Sequence, residues 1–124
     1  MLFGKRDGTW FIEVTDPAQP RIVGELPTTG LANSLWRDIK VVGHHMVVVS
    51  ETINSKLQVC DLTRLRDFTS IGPAHTFSTD TLVGGFSRAH NVVVHEEDER
   101  AYVCGPNAIE GLLIYDFSEA GNPA

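Results

Sequence analysis

The sequence predicts an all-β fold. Short apolar runs recur along its 124 residues, each closed by Gly, Pro, Asn, Asp or Ser. No stretch sustains the i, i+3, i+4, i+7 apolar spacing of an amphipathic helix over three turns. The runs also recur in a fixed order, a stronger signal than any one of them alone.

In chain order, "WFIEV" predicts a strand at Trp10–Val14, and "RIVGEL" another at Arg21–Leu26, between Pro20 and Pro27. "IKVV" and "HMVVVS" predict strands at Ile39–Val42 and His45–Ser50, joined by a hairpin turn at Gly43 and His44. "LQVCD" predicts Leu57–Asp61, and "LTRLRDF", Leu62–Phe68, leaves room for a single helical turn after it. "AHTF" predicts Ala74–Phe77 as the last strand of that unit. "NVVVH" and "AYVC" predict Asn91–His95 and Ala101–Cys104, flanking the charged turn of "HEEDER", and "LLIYDF" predicts Leu112–Phe117.

These segments are copies of one another. "LQVCDLTRL", "LLIYDFSEA" and "TWFIEVTDP" share apolar residues, then a carboxylate, an apolar residue and a hydroxyl, which makes Glu13, Asp61 and Asp116 equivalent. "DIKVVGHHMVVVS" matches "HNVVVHEEDERAYVCG" as strand, turn, strand, and "LFGKRDGTWFIE" aligns with "VCGPNAIEGLLIYD". A period of about 50 residues with several short strands per unit is the signature of a β-propeller blade, a four-stranded antiparallel sheet that cannot bury both its faces alone. The chain is then a single partial propeller domain: the end of one blade at 1–30, a full blade at 31–80 and a partial blade at 81–124. That is about two and a half blades, where closed propellers use about four to eight. Partners expected on this ground are missing propeller blades of a longer protein, or self-association of several copies.

Composition excludes several function classes. Ten Lys and Arg against sixteen Asp and Glu give a net charge of −6 with no basic stripe, so no nucleic acid is expected as a partner. No apolar run approaches the roughly 18 to 20 residues of a membrane span, so no membrane insertion is expected. "MLFGKRDG" lacks the features of a signal peptide. Cys60 and Cys104 lie inside apolar runs without CxxC spacing and read as buried free thiols, a disulfide between them staying open.

The runs "LWRDIKVVGHHMVVVSE", "LQVCDLTRLR" and "AHNVVVHEEDERAYVCG", with "LLIYD" and "VTDPAQPRIVGELPT", resemble the LVIVD-repeat β-propellers of choice-of-anchor B proteins. The likeness covers more than half of the chain. It implies a propeller, a cell-surface or secreted (extracellular) setting and a binding or scaffolding role, with no agreed catalytic residues. The sequence departs from that pattern in two ways. It carries no signal peptide or terminal anchor, and it has Ser55 and Lys56 where a His and a Gly are expected.

The polar residues divide into candidate sites and strand ends. Asp38 and His90 both precede a blade's first strand, and with Arg37 and Asn91 they would meet near the mouth of a propeller's central channel. They either hydrogen-bond the backbone of the adjoining turn, which is the expectation, or form a ring for a polar ligand, a carboxylate or a metal. His44 and His45 are expected as solvated turn residues, since neighbours on an extended chain point opposite ways and do not share an ion. The acidic turn in "HEEDER" lacks the spacing of a calcium loop. Glu13, Asp61 and Asp116 are expected to cap turns, because equivalent positions do not give the two different environments of a catalytic carboxylate pair. Trp10 and Trp36 are expected as wedges between blades, although aromatic rims also bind sugars. No catalytic residue, metal ligand or cofactor motif is identified. The sequence therefore points to a non-catalytic propeller module binding a protein or an extracellular matrix component. The alternatives are a hydrolase or lyase using Arg37, Asp38 and His90, or a structural subunit of a larger assembly.

Overall fold

The computed structural model describes residues 1–66 and 74–118. Its strands are β1 (Leu2–Lys5), β2 (Gly8–Glu13), β3 (Arg21–Pro27), β4 (Arg37–Val42), β5 (His45–Ser50), β6 (Leu57–Asp61), β7 (His75–Thr76), β8 (Thr81–Val83), β9 (Asn91–His95), β10 (Arg100–Cys104) and β11 (Leu112–Asp116). They form three sheets in the orders β1-β2-β3-β7, β4-β5-β6-β8 and β11-β10-β9. Every pairing is antiparallel except β3 with β7. The fold is the all-β, blade-like architecture that the repeats predict, and no barrel closes among the described residues.

Strand periodicity explains how the sheets stack. Successive side chains point to opposite faces, so the middle sheet supplies two apolar sets, drawn mainly from β5 and β6. Val42, Val47, Val49, Leu57 and Val59 face the last sheet and pack with Val92, Ala101, Val103, Tyr115 and Phe117. Met46, Val48 and Cys60 face the first sheet and pack with Phe11, Leu26 and Phe77. All six residues of β5 are buried. This is why "HMVVVS" is nearly continuously apolar instead of alternating.

The turns follow local chemistry. Gly43 takes φ +56° at the first central position of the β4–β5 hairpin, the place where a type II′ turn requires glycine. Asp16 Oδ1 accepts from Ala18 N at 3.0 Å in the β2–β3 connection. Val23 is the extra residue of a bulge, since Phe11 pairs with Gly24 while Ile12 pairs with Ile22.

Two strands were not foreseen, β1 and β8, and one segment pairs differently from its expectation. His75 and Thr76, inside the predicted strand Ala74–Phe77, do not close the middle sheet. They pair in parallel with Gly24 and Glu25 of β3. Phe77 carries this choice: its ring meets Phe11 edge to face at 5.2 Å, and Gly24 leaves the space it needs. The fourth strand of the middle sheet is β8, with Val83 opposite Leu57, so that sheet runs past residue 80. Leu62–Leu65 is a 3-10 turn, and the end of "LTRLRDF" at 67–68 lies outside the described residues.

Two substitutions test this packing. A Cβ on Gly24 would lie 2.5 Å from Phe77 Cε2 and 3.0 Å from the His75 carbonyl. Gly24→Ala is therefore expected to lower stability by about 1 to 3 kcal/mol, and an unchanged denaturant midpoint would refute this account of β7. Thr9 is fully buried, and its hydroxyl has no hydrogen-bond partner among the described residues. Thr9→Val is expected to raise stability by about 1 kcal/mol, and chemical denaturation showing a loss would mean that the hydroxyl is satisfied.

Candidate functional site

Hairpin register brings the starts of β4 and β9 and the ends of β5 and β10 to one edge of the stack. Arg37 pairs with Ser50, and Asn91 with Cys104. The segment leading into β9 is fixed there by its backbone. Asn107 Oδ1 accepts from Ser87 N at 2.9 Å and Arg88 N at 2.8 Å. Ala89 N donates to Ser50 O at 3.1 Å, and His90 N to Cys104 O at 3.3 Å. Glu51, Arg88, Ala89, His90, Gly105 and Asn107 line an open cavity of about 340 Å³.

One wall of that cavity is an imidazole–carboxylate pair, in which His90 Nδ1 meets Glu51 Oε1 and both side chains stay solvent-accessible. The Trp36 ring lies 6.3 Å from the His90 ring and is 62% exposed. The edge thus presents an aromatic face, an oriented imidazole, a carboxylate and the exposed Arg88 side by side.

Asp38 sits between the middle and last sheets. Its Oδ2 accepts from Val92 N at 3.0 Å and from Asn91 Nδ2 at 3.4 Å, and its Oδ1 is held by Lys40 Nζ. Burial pushes the carboxyl upward, but Lys40, the Val92 amide and Asn91 outweigh it and hold the group below the ordinary carboxylate range. Arg37 turns the other way. Its Nε donates to Lys5 O at 3.2 Å and its Nη2 to Thr28 Oγ1 at 2.8 Å, at the junction with the first sheet. Burial lowers its pKa, an effect that nearby Asp7 opposes.

Of the four residues singled out in the sequence, Asp38 and Asn91 come together, His90 stands beside them on the cavity, and Arg37 is on the opposite face of its sheet. Adjacent strand residues must diverge in this way. Sequence reasoning missed Glu51, Arg88 and Asn107. Glu51 had a signal: it follows the last residue of β5, which the hairpin sets opposite the start of β4.

Other expectations are corrected. His44 is exposed at the opposite edge, but His45 is buried, with its ring 5.6 Å from that of Phe117, so it is no solvated turn residue. It begins β5, and every position of that strand is covered. Burial lowers its pKa, and neighbouring His44 adds to the effect. Neither tryptophan is wedged between the described sheets. Trp36 lies beside the ring of His90, and Trp10 stacks on Phe3 at 6.1 Å on the outer face of the first sheet.

Asp61 and Asp116 cap their turns, accepting from Thr63 N at 2.8 Å and Ser118 N at 2.9 Å, and these bonds hold both carboxyls below the ordinary range. Glu13, with a longer side chain, instead pairs with Arg21 across the β2–β3 hairpin. Cys60 is buried, Cys104 is half-buried, and both are free thiols. Burial raises the Cys60 thiol's pKa, against a partial opposing effect of Arg64.

Among the described residues no helix is long and apolar enough to cross a membrane. No protein-family model, no curated protein and no solved structure matches the chain.

The Asp38 bridge generates a stability test with a pH signature. Asp38→Ala leaves the buried Val92 amide unpaired and is expected to cost about 1 to 3 kcal/mol at neutral pH. The folded carboxyl titrates below its unfolded value of about 3.9, so its contribution is fully present above that pH and is lost as pH falls through the folded value. The gap between wild type and variant should therefore narrow in acid. A gap that is constant from neutral pH into strong acid would refute the charged bridge.

Proposed function

We propose that this chain is a non-catalytic β-propeller module of a cell-surface or secreted protein, and that it binds another protein or an extracellular matrix component. Recognition takes place at the edge where β4 and β9 begin. The observation that carries this reading is the exposed Trp36 beside the His90–Glu51 pair and the cavity bounded by Arg88. An exposed aromatic next to fixed polar groups and a cation is the composition of a protein-recognition hot spot. The resemblance to LVIVD-repeat propellers, with their surface-attached setting, supports the same reading.

Hydroxyls near this edge support binding over hydrolysis. Ser50 Oγ donates to Thr52 Oγ1, and Ser87 Oγ donates to Asn54 Oδ1, so both are committed to turns and neither is paired with His90. The alternative, a hydrolase or lyase, is favoured by one feature, the carboxylate that orients His90 as it would a general base.

One experiment separates the two. Purified chain is titrated against immobilised purified matrix proteins with tryptophan fluorescence as a second readout, and in parallel against chromogenic ester and glycoside substrates. At least one saturable interaction is expected, weakened about tenfold or more by Trp36→Ala and by His90→Ala at unchanged thermal midpoints. Turnover of a chromogenic substrate that His90→Ala abolishes would establish the enzyme reading instead. Matrix binding indifferent to both substitutions would sink the proposed site.

A further inference from the structure

We propose that the chain associates head to tail with a second copy of itself, the outer face of the last sheet of one copy covering the outer face of the first sheet of the next. This goes beyond the reading above, because it uses the sheet faces and leaves the cavity edge free.

The argument rests on register. In the middle sheet Asp61 lies opposite His45, and in the last sheet Asp116 lies opposite Arg100. Matching these carboxylates sets Leu112 and Ile114 at the positions of Leu57 and Val59. It also sets Tyr102 and Cys104 at the positions of Val47 and Val49. The four middle-sheet residues are at most 2% exposed, because the last sheet covers them. Their counterparts build the same face and nothing covers it among the described residues: Leu112 is 50% exposed and Ile114 57%.

The first sheet carries the complement. Matching Glu13 to Asp61 sets Trp10 and Ile12 at the positions of Gln58 and Cys60, and Phe3 at that of Val48, on the face by which the middle sheet meets its preceding neighbour. Phe3, Trp10, Ile12 and Ile22, with Met1 and Pro20, line an apolar depression of about 370 Å³. One molecule therefore exposes both halves of an interface whose internal counterparts are buried. An unrelated partner would have to imitate the repeat, whereas a second copy already has it.

Since the two faces differ, the contact is heterologous and generates a ring or a filament. Two copies double the three sheets, which falls within the about four to eight blades that close a propeller. Cys104 lies on the covering face, half-buried and free, and would be occluded in the assembly.

The test is the oligomeric state of wild type, Ile114→Asp, Trp10→Asp and an equimolar mixture of the two variants, by light scattering after size exclusion at about 100 µM. Wild type is expected to exceed the monomer mass. Each variant alone should be monomeric, and the mixture should form a dimer, because each variant keeps the face that the other lacks. Alkylation of Cys104 by N-ethylmaleimide should slow about tenfold as wild-type concentration rises through the assembly range. Both replaced side chains point away from the cores, and Leu112→Asp substitutes for Ile114→Asp if circular dichroism shows that variant unfolded. Monomeric wild type at that concentration overturns the proposal. So does a mixture of folded variants that stays monomeric, or assembly blocked by only one substitution, which would mean that like faces pair.

Discussion

The structure depends on covering both faces of β5. A strand that is solvated on one side alternates apolar and polar residues, whereas this one buries all six. Two consequences follow. The middle sheet needs a neighbour on each side, so the first and last sheets are conditions of its stability and cannot be treated as independent modules. Its polar side chains must also find partners in those neighbours. Gln58, which is buried, donates through Nε2 to Pro27 O at 2.8 Å and to Thr79 Oγ1 at 2.7 Å, which ties β6 to the end of β3 and to the segment between β7 and β8.

The same constraint explains why two opposite charges stand together as Arg37 and Asp38. Consecutive strand residues project to opposite faces, so one residue pair at the start of β4 stitches both junctions. Arg37 reaches the Lys5 carbonyl and the Thr28 hydroxyl of the first sheet, and Asp38 reaches the Val92 amide of the last. A guanidinium with several donors suits carbonyl and hydroxyl acceptors, and a carboxylate suits a backbone amide at a strand start. The pair is adjacent in sequence but not an ion pair in space, and each charge is spent on a different neighbour.

How much of this was legible from sequence depends on range. Most strands and the β4–β5 hairpin were readable because alternation, β-branched content and Gly43 are local signals. The order of the sheets followed from the repeat. β1 was obscured by Gly4 and Lys5, and β8 by its length of three residues. The parallel pairing of β7 with β3 was not readable, because it is decided by Phe77 fitting over the bare Gly24, more than fifty positions away in the chain. Likewise Asp38 and His90 could be placed near one another by repeat logic, but the partner of His90, Glu51, is thirty-nine residues distant and stands one residue past the repeated segment "DIKVVGHHMVVVS". Burial of His45 was missed because a histidine beside a turn reads as solvated, while its true neighbour is Phe117.

Stacking also determines where recognition can occur. Each internal sheet face is consumed by packing against the next, so a partner is left the two outer sheet faces and the edges, where strands start and stop. At the edge holding Glu51, Arg88 and His90 the backbone is not loose: Asn107 clamps Ser87 and Arg88, and the amides of Ala89 and His90 are tied to β5 and β10. Ordering a flexible loop costs binding free energy, and a pre-tied segment avoids most of that cost. The opposite edge, with exposed His44 and the four-residue acidic turn between β9 and β10, gathers charge, and its backbone ties, Leu62 N to His44 O and Phe117 N to Glu99 O, each stay within a single sheet. It is the bracing of segment 87–91 by two different sheets that sets the first edge apart, and this bracing exists only because the middle and last sheets are already held face to face.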